Sequence, residues 1–498
     1  MGGYYLGIDN GGTLCKAVLF NDKGKLCSQA QHKTDLKTPS SGFTQRSMED
    51  IRQANFQCIR ECIKDINPAD IRCICTTGHG KGLYMVGEGG KLVYDGVVST
   101  DTRAKEYIRL WQADGTAGKA YEKTFQDIMA CHPAALLRWF KDNEPEVLKN
   151  VRHIFSVKDY VRYLLTGEAF AEMTDISGSS LLNLTTRDYD DELLALFGIV
   201  EVRSKLPPVK LATDICGRVT EEAAAETGLL EGTPVAGGMF DIDACAIAMN
   251  VVSEDTICVI AGTWSINEYI SKTPVTDHQV MMNSVFLLPE YYLIEESSPT
   301  SAGNNEWVID RFFEHEKNLA ASLSKSVYEL LNEMAESSEP DASLIFLPFL
   351  YGSNYNPFAK ACFIGLDSSH EKKDIVRAVY ESIVFSHRTH IEKLLAASQN
   401  LKKIRLAGGV AKSPVWVQTF ADIIGLPIET VDVPELGAFG CAICASAACG
   451  QFPTVAEAAA AWVKIDRLYL PNHDMKEFYD KKFARYTNIS NSLEKFWE

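Results

Sequence analysis

An apolar run from Tyr4 to Ile8 stops on Asp9, crosses Asn10, Gly11, Gly12 and Thr13, and resumes from Leu14 to Phe20 around Lys16. Glycines in a hairpin turn supply positive φ, which accounts for Gly11 and Gly12 but leaves Asp9 and Lys16 unexplained. A carboxylate ending a buried strand is costly unless it meets water, a cation or a metal. Consecutive glycine amides followed by a threonine hydroxyl can also form an anion-binding nest. The stretch is therefore either a plain hairpin or a loop that holds a phosphate.

Two further turns bear on that choice. "AGTW" (Ala261 to Trp264) lies between strand-like runs and repeats the Gly–Thr turn with Gly262 and Thr263. "RLAGGVAKSPVW" ends a strand on Gly408 and Gly409 and opens a helix after Ser413, with Pro414 in a favourable first-turn position. Such glycines let a backbone approach a flat ligand such as a nucleobase. The dinucleotide pattern G-x-G-x-x-G within a βαβ unit is absent. "ELGAFGCAICA" (Glu435 to Ala445) reads as another small-residue turn that could flank the same ligand.

In "GGMFDIDACAIAMN" (Gly237 to Asn250), Asp241 falls where a helix should begin. It is either an N-cap, worth roughly 1 kcal/mol, or a general base at the rim of a cleft. Asp243 competes for the second role. The helical step of about 100° per residue points the two carboxylates in different directions, and Asp241 directly follows the glycine-rich turn.

The elements that must position these residues alternate along the chain. "YYLGID", "KAVLF", "IRCICTTG", "TICVIAG", "SLIFLPFL" and "KKIRLAGG" read as short apolar strands. "SMEDIRQANFQCIRECIKDI" has helical periodicity behind a Ser–x–x–Asp cap, and "DIVRAVYESIVFSHRTHIEKLLAASQ" has the same periodicity. This alternation predicts α/β layers with mainly parallel sheets. At 498 residues the chain exceeds one ordinary core. The strand–turn–strand echo between Tyr4–Phe20 and Thr256–Ile270 suggests two similar halves facing across a cleft, 1–250 and 251–498.

A net charge of −17 argues against nucleic acid or anionic membrane as a partner, so a bound phosphate would need local dipoles, selected cations and a metal. No apolar stretch approaches the roughly 20 residues that span a bilayer, and a cytoplasmic location is expected. The 14 cysteines lie mostly in apolar runs, without zinc-site spacing. "CAIC" (Cys441 to Cys444) reads as buried packing rather than a redox pair.

Taken in order, "DNGGT…K", "GGMFD", "AGTW", "RLAGGVAKSPVW" and "ELGAFGCA" resemble the FGGY carbohydrate kinases of the actin-like ATPase superfamily. Within that family the likeness is greatest to the L-xylulose kinases, through "GKGL", "EESSPTSAGNNEW" and "FLPFLYGSN". The resemblance implies two actin-like, ribonuclease H-like α/β domains hinged about a deep cleft, each with a mixed five-stranded sheet. Sugar would lie mainly on the first and ATP on the second. It implies Asp9 as the Mg²⁺-associated carboxylate and Asp241 as the catalytic base. Gly11, Gly12, Thr13 and Lys16 would form one phosphate turn, and Gly262 and Thr263 the other. Gly408, Gly409 and Ser413 would meet adenosine.

For the sugar, "TTGHGKGLY" occupies the place of the family's substrate-reading loop. His79, Gly80 and Lys81 are candidates there, although related kinases often carry Gln where His79 stands. Asp101 and Arg103 in "STDTRAKE" are either hydroxyl partners or solvated loop charges, while His132 reads as structural. The expected activity is ATP-dependent phosphorylation of L-xylulose or a related keto sugar or keto-acid sugar, with a homodimer as the expected assembly. The rivals are a D-xylulose, glycerol or gluconate kinase of the same fold, and a non-catalytic actin-like assembly ATPase.

Overall fold

The computed structural model describes residues 2–497 apart from Thr263, Asn354, Tyr355 and Pro357, and the chain divides into two units. The first comprises Met1–Val252, Ser271–Leu293 and Val433–Val463; the second comprises Ser253–Ile270, Ile294–Asp432 and Lys464–Glu498. Two later segments of the sequence thus return to the first unit.

In the first unit, β1 (Tyr4–Asn10) pairs antiparallel with β2 (Leu14–Asn21), which pairs with β3 (Leu26–Lys33). Helix α1 (Met48–Ile63) follows, its Ser47 cap accepting from the Asp50 amide at 3.1 Å. Then β4 (Ile71–Gly78) lies parallel to β1 on its other side. Tyr5, Leu6 and Ile8 are fully buried, which is why β1 reads as a continuous apolar run rather than an alternating one. At the sheet edge, β3 alternates between half-buried and exposed residues.

Helix α2 (Val157–Thr166) carries a buried charge cluster in the same unit. Lys158 Nζ lies 2.8 Å from Asp159, 3.3 Å from Glu172 and 3.7 Å from Asp175, and Arg162 donates to Asp159 at 2.7 Å. Burial pushes the Asp175 carboxyl up to about 7, against the pull of Lys158.

The sheet is completed by β5 (Ile215–Arg218), β6 (Pro234–Ala236) and β7 (Met239–Phe240), in the order β5-β6-β4-β1-β2-β3 with β7 also on β4. It has seven strands, not the expected five: Gly237 and Gly238 break one path along β4 into two short strands, and β5 adds a further strand at the edge. Gly238 has φ +86°, and a Cβ there would stand 2.3 Å from the Thr76 carbonyl oxygen. Helix α3 (Asp241–Ala248) follows directly.

The second unit holds β8 (Thr256–Ala261), β9 (Ser265–Ser271) and β10 (Tyr292–Ser298). Helices α4 (Val327–Ser337) and α5 (Lys372–Ala397) follow, then β11 (Lys403–Gly408), α6 (Pro414–Ile424) and β12 (Ile428–Val431). β8 pairs antiparallel with β9 and parallel with β11, as β1 pairs with β2 and β4. The sequence echo is thus a repeated sheet motif.

The chain returns to the first unit as α7 (Leu436–Ala448) and α8 (Val455–Trp462), then ends in the second as β13 (Ile465–Tyr469) and α9 (Lys476–Leu493). "ELGAFGCAICA" is therefore, from Leu436 on, a helix of the first unit rather than a turn. Its small residues serve close packing. A Cβ on Gly440 would stand 2.1 Å from the Ala244 carbonyl oxygen of α3, and one on Gly7 2.2 Å from that of Ala438. Cys441 and Cys444 are fully buried free thiols within this packing.

Candidate active site

Register brings three strand ends together in the first unit. Asp9 of β1 lies opposite Thr77 of β4 and Asn10 opposite Gly78, while Met239 and Phe240 of β7 lie opposite Thr77 and Gly78. The carboxyl ends of parallel strands are where α/β sheets place ligands. Asp9, the loop His79–Lys81 and Asp241 all issue from this one edge.

Asp9 is half-buried, and burial pushes its carboxyl up to about 6; Lys16 opposes the shift and Glu435 adds to it. Lys16 sits opposite Asp9 in the hairpin, but its Nζ donates to Glu435 Oε2 at 2.7 Å. Gly437 leaves room for the Asp9 carboxylate, since a Cβ there would stand 2.7 Å from Oδ2. Glu435 and Gly437 lie in the "ELGAFGCAICA" segment, which the sequence already marks, but only the fold shows that they return to Lys16 and Asp9.

The hairpin glycines do not serve turn geometry. Neither Gly11 nor Gly12 has a positive φ. A Cβ on Gly12 would meet no atom within 4 Å, and one on Gly11 only the Leu14 carbonyl oxygen at 3.6 Å. The Gly11 amide closes the turn onto Leu14, and the buried Arg46 donates to the Gly11 carbonyl at 2.8 Å. Among the described residues, no backbone acceptor takes the Gly12 or Thr13 amide. The result is a held loop with open space at Gly12 and two amides not spent on backbone bonds, a cradle that a side chain at Gly12 would fill.

Asp241 is the first residue of α3 and half-buried; Phe240 occupies the cap position. The N-cap reading of Asp241 is thereby replaced. The approach is pinned by Thr174 Oγ1, which accepts from the Phe240 amide at 2.8 Å, and by Thr77 Oγ1, which donates to the Met239 carbonyl at 2.8 Å. Asp243 is fully buried, and its Oδ1 accepts from the Leu287 amide at 3.2 Å. Of the two carboxylates, Asp241 is the accessible one.

In the loop, His79 Nε2 is hydrogen-bonded to the Tyr84 hydroxyl at 2.8 Å, and burial, aided by Arg46, lowers its pKa to about 4, so the ring is neutral. Gly80 lies flat on Phe240: a Cβ there would stand 2.3 Å from the ring. Lys81 adopts φ 64°, a left-handed conformation that costs a non-glycine residue energy. Its Nζ lies 5.9 Å from the Phe240 ring centroid. Among the described residues, no carboxylate pairs with it.

Asp101 and Arg103 are placed differently. Arg103 donates to both carboxylate oxygens of Asp101, at 2.9 and 2.8 Å, and neither side chain is exposed. Asp101 Oδ2 also accepts from the Thr44 amide at 2.7 Å, and Phe43 covers the guanidinium at 4.3 Å. The pair is saturated and anchors the loop, leaving no face open to a ligand. His132 is buried, with Nδ1 bonded to Ser180 Oγ at 2.8 Å, in keeping with a structural histidine.

The second unit carries its own strand-end site. Gly262 opens the turn after β8, and a Cβ on it would meet nothing within 4 Å; Thr263 lies outside the described residues. Ala261 lies opposite Gly408, whose φ of +97° and close approach to the Ala261 carbonyl oxygen, 2.5 Å from a Cβ, admit only glycine. Gly409, like Gly262, faces open space. Ser413 Oγ caps α6 by accepting from the Trp416 amide at 3.2 Å and donates to Asn332 Oδ1 of α4 at 2.7 Å. Asn332 is a further residue at this site that no sequence pattern marked.

The chain matches the N-terminal domain of the FGGY family of carbohydrate kinases over residues 4–248 and the C-terminal domain over 257–449. A probable L-xylulose kinase of Haemophilus influenzae is 34% identical over 495 residues, covering 98% of this chain and 99% of the relative. The L-xylulose/3-keto-L-gulonate kinase of Escherichia coli is 33% identical over 497 residues, covering 99% and 98%. The solved structure of a ligand-bound xylulose kinase from Lactobacillus acidophilus shares the fold, with a TM-score of 0.91 at 24% identity over 99% of both chains. No helix among the described residues is long and apolar enough to cross a membrane. The chain belongs to the FGGY family of carbohydrate kinases and is a sugar phosphotransferase of two-domain, actin-like fold.

Proposed function

We propose that the protein transfers the γ-phosphoryl group of Mg-ATP to a hydroxyl of L-xylulose or a related keto sugar or keto-acid sugar. The sugar occupies the N-terminal family domain and ATP the C-terminal one, matched over 4–248 and 257–449. The observation that carries this reading is the meeting of Asp9, the Lys81 loop and an accessible Asp241 at one sheet edge.

Asp241 accepts the proton of the attacking hydroxyl as the sugar oxygen bonds to the γ-phosphorus and ADP departs. The Gly12–Thr13 amides and Lys16 receive phosphate oxygens in the first domain, as Gly262 and Thr263 do in the second. Gly408, Gly409 and Ser413 pack against adenosine. The donor set fits Mg²⁺: Asp9 offers one half-buried carboxylate at the strand end, and Mg²⁺ is usually held by one or two carboxylates, waters and substrate phosphates. Asp9 would hold it, and the ion would neutralise charge developing on the phosphoryl oxygens.

Lys81 supports a substrate that carries a carboxylate, since a lysine that no carboxylate among the described residues pairs with can meet one on the sugar. The relative named as an L-xylulose/3-keto-L-gulonate kinase acts, by its name, on both a neutral and an acidic keto sugar. The expected homodimer is checked by light scattering. The activity is tested by coupled ADP release across ketopentoses, aldonates, hexonates and polyols. Turnover with L-xylulose and 3-keto-L-gulonate above all others is expected; turnover with glycerol or D-gluconate alone overturns the assignment.

A further inference from the structure

Helix α5 has two differently used sides in the second unit. On one, His387 is bonded to Ser265 Oγ at 3.0 Å and Ser301 Oγ at 2.9 Å, behind the turn that contains Gly262. At about 100° per residue, Ser386, Thr389 and His390 point elsewhere. They line a pocket of about 140 Å³ closed on its far side by Tyr486, Thr487 and Ser490 of α9. None of Gly262, Gly408, Gly409 and Ser413 lines it.

Its chemistry is unusual for a packing defect. Among the described residues seven aliphatic hydroxyl side chains border it, Ser298 at the end of β10 among them. Ser298 is 2% exposed, and its Oγ has no hydrogen-bond partner among the described residues. A buried hydroxyl without a partner is costly, so its presence here points to something that satisfies it. Phe349 and Tyr486, both nearly buried, add two ring faces.

Among the described residues no lysine or arginine lines the pocket, and the one lining carboxylate, Glu494, accepts from Asn356 Nδ2 at 2.8 Å. His390 is held by Glu296 at 2.9 Å. A phosphate or carboxylate would find no cation to meet it. An apolar guest would strand the hydroxyls. We infer that this pocket is a second ligand site, separate from both strand-end sites, for a small neutral polyhydroxy compound. A cavity of roughly 150 Å³ accommodates a benzene-sized guest, which limits the ligand to the size of a short polyol or an unphosphorylated tetrose or pentose.

The test is calorimetric titration of the full chain with glycerol, erythritol and xylitol in turn. At least one should bind saturably. Ser490→Phe, which fills the pocket from its partly exposed wall, should weaken binding tenfold or more. Ser298→Ala, which removes one hydroxyl and adds no bulk, should weaken it roughly three- to tenfold. Lys81→Met, in the other unit, should leave it within about twofold. Should Ser490→Phe not fold, Ser298→Ala decides alone. Absence of saturable binding by all three probes means the pocket holds water only and overturns the inference. So does binding that Ser298→Ala leaves intact, or that Lys81→Met abolishes.

Discussion

Lys16 Nζ donates to Glu435 Oε2 at 2.7 Å across 419 residues of sequence, so the cation of the first turn is aimed by a residue of a distant segment. If Glu435 acts only through Lys16, their effects should not add. Lys16→Met is expected to lower kcat/KM for ATP about 10- to 100-fold and Glu435→Gln about three- to tenfold. The double variant should be no worse than Lys16→Met. Steady-state kinetics on all four proteins checks this, and additive losses would show two separate roles.

Asp241→Asn should lower kcat about 10²- to 10⁴-fold while sugar binding, measured calorimetrically, survives. Asp243→Ala should instead lower the melting temperature, because it strands the Leu287 amide inside the fold. Near-normal turnover in Asp241→Asn would reverse the assignment.

Lys81→Met should cut kcat/KM for 3-keto-L-gulonate about tenfold or more and spare L-xylulose, given the worth of a charge-assisted contact in a site. Equal losses for both sugars would move Lys81 to phosphate binding.

Gly12→Val meets open space at an ordinary φ, so its melting temperature should stay near wild type while kcat/KM for ATP falls at least tenfold. Gly238→Ala should do the reverse of sparing the fold. Its positive φ and the 2.3 Å approach to the Thr76 carbonyl oxygen predict a loss of roughly 2–4 kcal/mol in denaturant unfolding.

Asp175 carries a stability prediction with a definite sign. Its folded pKa of about 7 exceeds the ordinary 3.8, so between those values the folded state holds a proton that the unfolded state has released. Stability therefore falls as pH rises through that window. Asp175→Asn removes the titration. The variant should gain on wild type by roughly 2–4 kcal/mol between about pH 5 and pH 8, read by denaturant unfolding. A constant difference across that range would show that the carboxyl stays ionised.

The strands that end on Asp9, Gly262 and Gly408 were legible because buried parallel strands are unbroken apolar runs punctuated by glycine. Ser413 and Pro414 marked the α6 start through capping chemistry, which is local. What stayed hidden was long-range. Nothing around Glu435 says that it meets Lys16, and small residues look alike in a turn and in a tightly packed helix. Gly440 became interpretable only beside Ala244. Asp101 and Arg103 show the converse limit, since two charges in a polar loop look solvated until four aromatic rings are seen around the guanidinium.

The return of Val433–Val463 to the first unit has a consequence for biogenesis. The usual order, in which an N-terminal domain finishes folding while the rest is still on the ribosome, is closed to this chain. Gly7 and Ala244 wait for partners in Leu436–Ala448, a segment that emerges roughly 10–40 s after Val252 at ordinary elongation rates. During that interval those contacts are unmade, so the first half expressed on its own should give a lower soluble yield than the full chain.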